Sequence, residues 1–345
     1  MQDEGIKAGI IDSIFSKENF SLIQEFKSSS KENEFLFFLK PEFFQSNDKI
    51  LISLLLDLIL QKIKQFDIDI DGVAALKGDF LKGADIIEKH YGFINKMSVK
   101  GSEIVTGADK AKIMEVMGID SLKNYKILGG HEVIAKYESV DETALQELWY
   151  SGGSFRVGEG FYAQYQKICG EDIILINGFH PSQIKHYTRP ESRIVLFLLN
   201  TDTDWFTVRN NFVGDTFPEK AKPGSIRATL LKDAQKYRIE AIDVANNFVH
   251  ASSGPFDALF EICNFVGNLE GINYCRYNTN IYNLMTSKYN LEIEDYEMCL
   301  ENPAVKIDDS QSDLFTATKN KNTFSAIEYY IGHFKKQVSQ ESRRC

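Results

Sequence analysis

Arg193-Ile194-Val195-Leu196-Phe197-Leu198-Leu199 is the clearest buried-strand signature in the chain, and the fold is read outward from it. A short unbroken apolar run closed by Asn200-Thr201-Asp202 suits a strand covered on both faces. Glu34-Phe35-Leu36-Phe37-Phe38-Leu39 is a second such run, aromatic-rich and stopped by Lys40-Pro41. Residues 68–76 read as a third strand and 247–252 as a short fourth. Between and after them, residues 48–66 place apolar side chains on a wide helical face, and 83–91 and 203–213 read as further helices. Residues 255–265 open with Pro255 at the first helical turn, where its missing N–H costs little. The order is β-α-β-α, then β-α-β-α after a long interval. Strands separated by helices that cover a sheet face predict an α+β sandwich of the ferredoxin-like type.

The interval, residues 92–178, is too long for a plain loop, since structureless connections beyond about 15 residues are uncommon. It has its own apolar patterning (Ile113, Val116, Met117, then Leu145, Leu148, Trp149) and the glycines Gly152, Gly153, Gly158 and Gly160. It is read as an inserted subdomain. The flanks are expected to be a packed N-terminal helix over 6–25, a polar linker over 27–33, a polar and mobile tail over 302–322, and a last helix over 323–338. The resulting division is 1–33, 34–91, 92–178, 179–267 and 268–345.

Composition narrows the function classes. The 345 residues are 43% hydrophobic and 26% charged, which excludes a disordered or collagen-like chain. Lys and Arg total 39 against 49 Asp and Glu, a formal charge of −10, so a basic footprint for a nucleic-acid polymer is absent while a local cationic pocket remains compatible. Five cysteines without a CxxC pair point to a reducing compartment. The start, Met1-Gln2-Asp3-Glu4, is acidic where a secretory signal is basic. The most apolar run, 50–60, carries Asp57 and is far shorter than the ~20 residues of a membrane span. A cytoplasmic protein with no membrane partner is expected.

Chemistry concentrates in Pro223-Gly224-Ser225-Ile226-Arg227 and Asn247-Phe248-Val249-His250-Ala251-Ser252-Ser253. This P-G-S-I-R followed by N-x-x-H-x-S resembles the nucleoside diphosphate kinases, whose histidine is phosphorylated and passes the phosphoryl group on. The likeness extends to Phe35–Glu42 with Lys40, to Glu88-Lys89-His90-Tyr91, and to Gly214-Asp215-Thr216-Phe217-Pro218, and covers roughly 34–91 and 179–267.

The resemblance implies transfer of the γ-phosphate of a nucleoside triphosphate to a nucleoside diphosphate through a phosphohistidine at His250, with Mg²⁺ held by the nucleotide phosphates rather than by protein ligands. Glu261 would orient the imidazole and Ser252 would brace Glu261. Lys40 and Arg227 would supply cations, Thr216 a hydroxyl to a phosphate oxygen, and Tyr91 a phosphate contact. Asn247 and Lys40 would reach the ribose. Phe179 or His180 would pack on the base with Ile184 opposite. The family also implies assembly into a symmetric homo-oligomer.

The sequence departs from the pattern in several places. The position of the second phosphate arginine falls on Asn210, with Arg209 adjacent as its substitute. Ala251 stands where a glycine follows the histidine, Ser253 where an acid follows the serine, and Phe217 where the G-x-T-N-P loop has asparagine. These departures keep open an alternative: a nucleotide-binding regulatory or scaffold module with weak or no kinase activity. Taken singly, His250 reads as a strand-end core histidine, Arg227 as an ion-pair residue and Tyr91 as a helix cap. Only their occurrence together, with several roles filled at once, favours a catalytic site. The remaining histidines lack metal-ligand spacing, and the 152–160 glycines lack the GK[ST] of a phosphate loop and read as turns.

Overall fold

A computed structural model describes residues 2–46, 48–307 and 310–337. The chain forms two compact units, Met1–Phe80 with Glu191–Cys345, and Leu81–Pro190. Its strands, in chain order, are β1 (Phe20–Gln24), β2 (Asn33–Leu39), β3 (Asp69–Lys77), β4 (Lys126–Gly129), β5 (Phe155–Gly158), β6 (Phe161–Ile168), β7 (Glu171–Ile176), β8 (Arg193–Thr201), β9 (Val249–Ala251), β10 (Ala304–Ile307) and β11 (Ser310–Asp313). The architecture is α+β.

In the first unit the sheet runs β1-β3-β8-β2-β9, with every neighbouring pair antiparallel. The two apolar runs that define the fold are its centre: Phe37 pairs with Phe197 and Leu39 with Val195. Because strand side chains alternate in direction, Phe35, Phe37 and Leu39 enter one core with Ile52, Leu56 and Ile59 of the helix Lys49–Gln65. Asp48 caps that helix, accepting from Ile50 N at 2.9 Å. Phe38 points the other way, onto Phe265 of the helix Pro255–Phe265 at a ring separation of 5.4 Å. A sheet covered on both faces explains why its central strands read as unbroken apolar runs.

Two expectations for the flanks give way. The N-terminal helix ends at Phe15, and residues 20–24 form β1, which pairs with β3 at Phe20↔Leu76. Within 302–322, expected to be mobile, β10 and β11 pair antiparallel and Leu314–Thr318 is helical, while 308 and 309 lie outside the described residues. Val305 and Leu314 are its anchors, buried with Phe256, Tyr296, Tyr330 and Phe334. The last helix, Thr323–Tyr329, continues as a π-helical turn over Tyr330–Phe334, and its expected end at Val338 lies outside the described residues.

The unit Leu81–Pro190 has its own sheet, β4-β7-β6-β5, with β4 and β7 parallel and the other pairs antiparallel. Ile173 and Leu175 pack on one face with Trp149 and Leu145, while Ile174 and Ile176 pack on the other with Met97 and Ile113. The glycines at 158 and 160 end β5 and open the turn into β6, Gly160 at φ +65°. Cys169, Cys263, Cys275 and Cys299 are free thiols, and Cys345 lies outside the described residues. Among the described residues no helix is long and apolar enough to cross a membrane.

Candidate functional site

β9 is a three-residue strand at the sheet edge, so side chains supplement its short ladder. Arg227 Nη2 donates to Val249 O at 2.7 Å, and Glu42 Oε1 accepts from Phe248 N at 2.9 Å. Lys40 N donates to Phe248 O at 2.9 Å. Phe248 itself has φ +67°, a left-handed conformation that costs a bulky residue on the order of 1–3 kcal/mol. It persists because both its amide and its carbonyl are pinned, and the bend delivers the next three residues to the sheet. His250 then pairs with Phe38 across the strands, and their rings stack at 4.5 Å and 20°.

The helix Pro255–Phe265 begins directly after this strand and returns Glu261 to the imidazole. His250 Nε2 lies 2.7 Å from Glu261 Oε1, and Ser252 Oγ donates to Glu261 Oε2 at 2.6 Å. Ser252 Oγ also accepts from Leu36 N at 3.1 Å, which ties the chain of contacts to β2. Glu261 is 2% exposed. Burial holds the imidazole pKa well below its ordinary value; Asp257 opposes this, while Lys40, Arg227 and Arg209 reinforce it. The ring is therefore neutral at pH 7. A carboxylate on Nε2 places the ring proton there and the lone pair on Nδ1.

Three cations act on that imidazole, each held differently. Lys40 is buried, with Nζ 3.9 Å from Glu42 Oε1. Burial pulls its pKa down; Glu42 opposes that, Arg227 adds to it, and Asp243 opposes it. Arg227, on the helix Ile226–Lys232 capped by Ser225, donates from Nη1 to Gly214 O at 2.9 Å and from Nη2 to Asn247 Oδ1 at 3.4 Å. Asn247 Nδ2 in turn donates to Thr216 O at 3.2 Å and Val244 O at 3.1 Å, and Thr216 is exposed. Gly214 has φ +96°, and a Cβ there would meet Ser225 Oγ at 2.5 Å, so this turn admits glycine.

The third cation, Arg209, lies within a π turn beside Asn210. Residues Val208–Val213 form a π-helical turn, closed by Gly214 N to Arg209 O at 2.9 Å, an i to i+5 bond. A π turn holds an extra residue and so rotates the side chains before it relative to those after it. Asn210 Nδ2 bonds back to Phe206 O at 2.8 Å, within its own helix. Arg209 Nη1 donates to Asn320 Oδ1 at 3.2 Å, and its charge reaches His250.

Tyr91, Phe179 and Ile184 belong to the unit Leu81–Pro190. Tyr91 Oη is 3.4 Å from Tyr187 Oη. Phe179 packs on Trp149 at 5.6 Å and Tyr162 at 6.0 Å. Ile184 is half-buried on the helix His180–Thr188. His180 is fully buried, bonded to Gln183 at 2.9 Å and Asn95 at 3.2 Å, and burial pushes its pKa down to about 4.

Two side chains at the site were not singled out from sequence. Asp257 lies one helical turn before Glu261, a spacing of four that was readable, and its Oδ2 accepts from Ser253 N at 2.7 Å. Burial and then the charge of Glu261 push its pKa up. Asn320 has no local sequence signal, since it meets the site from the C-terminal extension.

No protein-family model matches the chain, and no curated protein matches it. Among solved structures it is similar to the apo, cubic-form nucleoside diphosphate kinase of Encephalitozoon cuniculi, at 10% identity and TM-score 0.34, over 68% of this chain and 88% of that one. It is similar to an NDP kinase from Pyrobaculum aerophilum at 18% identity and TM-score 0.33, over 67% and 94%. It is also similar to the nucleoside-diphosphate kinase of Borrelia burgdorferi with bound vanadate and ADP, a transition-state mimic, at 16% identity and TM-score 0.31, over 70% and 91%.

Proposed function

We propose that the protein is a nucleoside-diphosphate-kinase-like phosphotransferase that works through a phosphohistidine at His250. The observation that carries this reading is the chain His250–Glu261–Ser252, at 2.7 and 2.6 Å, with Lys40, Arg227 and Arg209 acting on a neutral imidazole. In the first half-reaction the Nδ1 lone pair attacks the γ-phosphorus of a nucleoside triphosphate, the bond to the bridging oxygen breaks, and the diphosphate leaves. Positive charge that develops on the ring is met by Glu261 through the Nε2–H. In the second half a different diphosphate attacks the phosphoramidate and the imidazole is regenerated. Such transfer needs positioning and charge neutralisation more than covalent help from the protein.

In this reading Lys40, Arg209 and Arg227 face phosphate charge and Thr216 donates to a phosphate oxygen. Asn247 and Lys40 reach the ribose. The donor set bears on Mg²⁺: Glu261, Glu42 and Asp257 accept from His250, Ser252, Phe248 and Ser253, and the other groups are cations, amides and a hydroxyl. That set suits an ion carried in by the nucleotide phosphates, where it would neutralise charge on the transferred group. The antiparallel order β9-β2-β8-β3 supports a ferredoxin-like sandwich, with the unit Leu81–Pro190 inserted between the adjacent strands β3 and β8. A cytoplasmic setting and symmetric self-assembly belong to the same proposal.

A second reading, nucleotide binding without transfer, is favoured by the bonds that tie the Arg227 guanidinium to Gly214 O, Val249 O and Asn247 Oδ1. Incubation with γ-labelled ATP separates the two. Transfer predicts an acid-labile, alkali-stable label on the wild type that His250→Ala does not take up. Nucleotide binding with no label, and no exchange from ATP to a second diphosphate, leaves the second reading.

A further inference from the structure

Residues 318–323 lie in the C-terminal extension, outside the segments that carry the family resemblance, yet they run across the loops of the candidate site. Asn320 N donates to Ser253 O at 3.0 Å. Gly254 is so closely approached that a Cβ there would lie 2.8 Å from Thr318 O. Asn320 Oδ1 accepts from Arg209 Nη1 at 3.2 Å, and Asn322 Oδ1 accepts from Trp205 N at 2.8 Å, at the start of the helical stretch that bears Arg209. Asn33 Oδ1, at the start of β2, accepts from Thr323 N at 3.0 Å. The segment is itself fixed: Thr318 is fully buried, and Asn320 adopts φ +63°, a conformation that asparagine tolerates better than most residues.

We propose that Asn320 is a positioning residue of the phosphoryl-transfer site, its backbone N–H fixing the Ser253–Gly254 turn behind His250 and its side-chain oxygen aiming the Arg209 guanidinium. The proposal rests on the phosphotransferase reading of His250. A guanidinium carries five N–H donors, so one given to Asn320 is compatible with a two-pronged contact to phosphate through others. The acceptor is a neutral amide, which orients the cation without cancelling its charge; an aspartate would orient and cancel together. Restricting a long side chain before the ligand arrives lowers the ordering cost of binding. The charge of Arg209 is also felt by His250, so its placement has a readout in the resting protein.

The test compares Asn320→Gly, which keeps the left-handed backbone but removes the acceptor, with Asn320→Asp, Arg209→Ala and the Asn320→Gly/Arg209→Ala pair. KM and kcat for ATP are measured, together with the imidazole titration of His250 by NMR without nucleotide. Lys40, Arg227, Asp257 and Glu261, the other charged groups acting on that ring, are unchanged in all four variants. Asn320→Gly should raise KM about 5-fold, the size of one lost hydrogen bond, with kcat little changed and no further loss in the Arg209→Ala background. Asn320→Asp should also raise KM, although it keeps an acceptor. The His250 titration should move upward in Arg209→Ala and, in the same direction, in Asn320→Gly. Additive losses, or Asn320→Gly behaving as wild type by both measures, overturn the proposal. A wild type that takes up no phosphoryl label sinks the phosphotransferase reading instead, and the NMR comparison then decides by itself whether Asn320 aims Arg209.

Discussion

Replacing Glu261 by glutamine tests the chemistry of the site without emptying it. The carboxylate accepts from His250 through one oxygen and from Ser252 Oγ through the other. A glutamine can keep both contacts if its oxygen faces the imidazole and its amino group faces the serine. Ser252 permits this, because its hydroxyl can accept from the new amide and turn its own proton to Leu36 O, 3.2 Å away. The tautomer with the proton on Nε2 is then retained, and only the charge assistance is lost. A hydrogen bond to a charged acceptor exceeds a neutral one by about 1.4 kcal/mol, which under the proposed phosphotransfer corresponds to a roughly tenfold slower formation of phosphohistidine. Rapid-quench labelling of Glu261→Gln with γ-labelled ATP measures the rate, and ¹⁵N NMR of His250 reports the tautomer. Labelling at the wild-type rate would refute the role of the carboxylate. A loss beyond about a thousandfold with the tautomer intact would refute the adaptation assigned to Ser252.

Three further outcomes are expected. The folded His250 stays neutral while the unfolded chain takes up a proton near its ordinary pKa, so this residue makes stability fall as pH drops through that value; His250→Gln should flatten that part of the curve, and an imidazole titrating at its ordinary pKa in the folded protein would contradict the burial argument. Glu34 is buried against Tyr274 Oη at 2.8 Å and Asn280 N at 2.9 Å, and burial pushes its pKa up to about 7. The folded state therefore holds a proton that the unfolded chain releases above pH ~4.5, so stability should fall by about 3 kcal/mol between pH ~4.5 and ~7, and urea midpoints for Glu34→Gln should lack that slope. Gly254→Ala forces a methyl against the Thr318 carbonyl and should cost roughly 1–3 kcal/mol by urea unfolding, while Gly267→Ala, with open space at its Cβ, should be near neutral; equal midpoints would mean that the two backbones part freely.

What could be read from sequence divides by the range of the interactions involved. β2 and β8 were legible because burial on both faces writes itself as an unbroken apolar run, and the helix Lys49–Gln65 because its stripe repeats for several turns. β1 was absorbed into the preceding helical pattern: it is a half-buried edge strand, and nothing local marks its pairing with β3. The 302–322 segment read as mobile because its anchors, Val305 and Leu314, are isolated in sequence, and the cluster they enter is assembled from distant residues. At the site, the contact between His250 and Glu261 follows from a strand turning directly into a helix. The π turn that contains Arg209 has no compositional signature, and the approach of Asn320 depends on a chain reversal far from the residues it touches.

The bonds around β9 carry a consequence for how such a protein would change under selection. Arg227, Asn247 and Glu42 each hold backbone: Gly214 and Val249 carbonyls, the Thr216 carbonyl, and the Phe248 amide. Under the proposed phosphotransferase reading, a descendant that lost catalysis but still needed to fold would be under pressure to retain all three. Glu261 is different, because a carboxylate buried on an apolar helix is expensive unless it has a partner to serve. Drift away from catalysis should therefore erase Glu261 and His250 first and leave the arginine standing. Among variants of this chain, the glutamate is the better marker of retained chemistry, and the arginine is a marker of the fold.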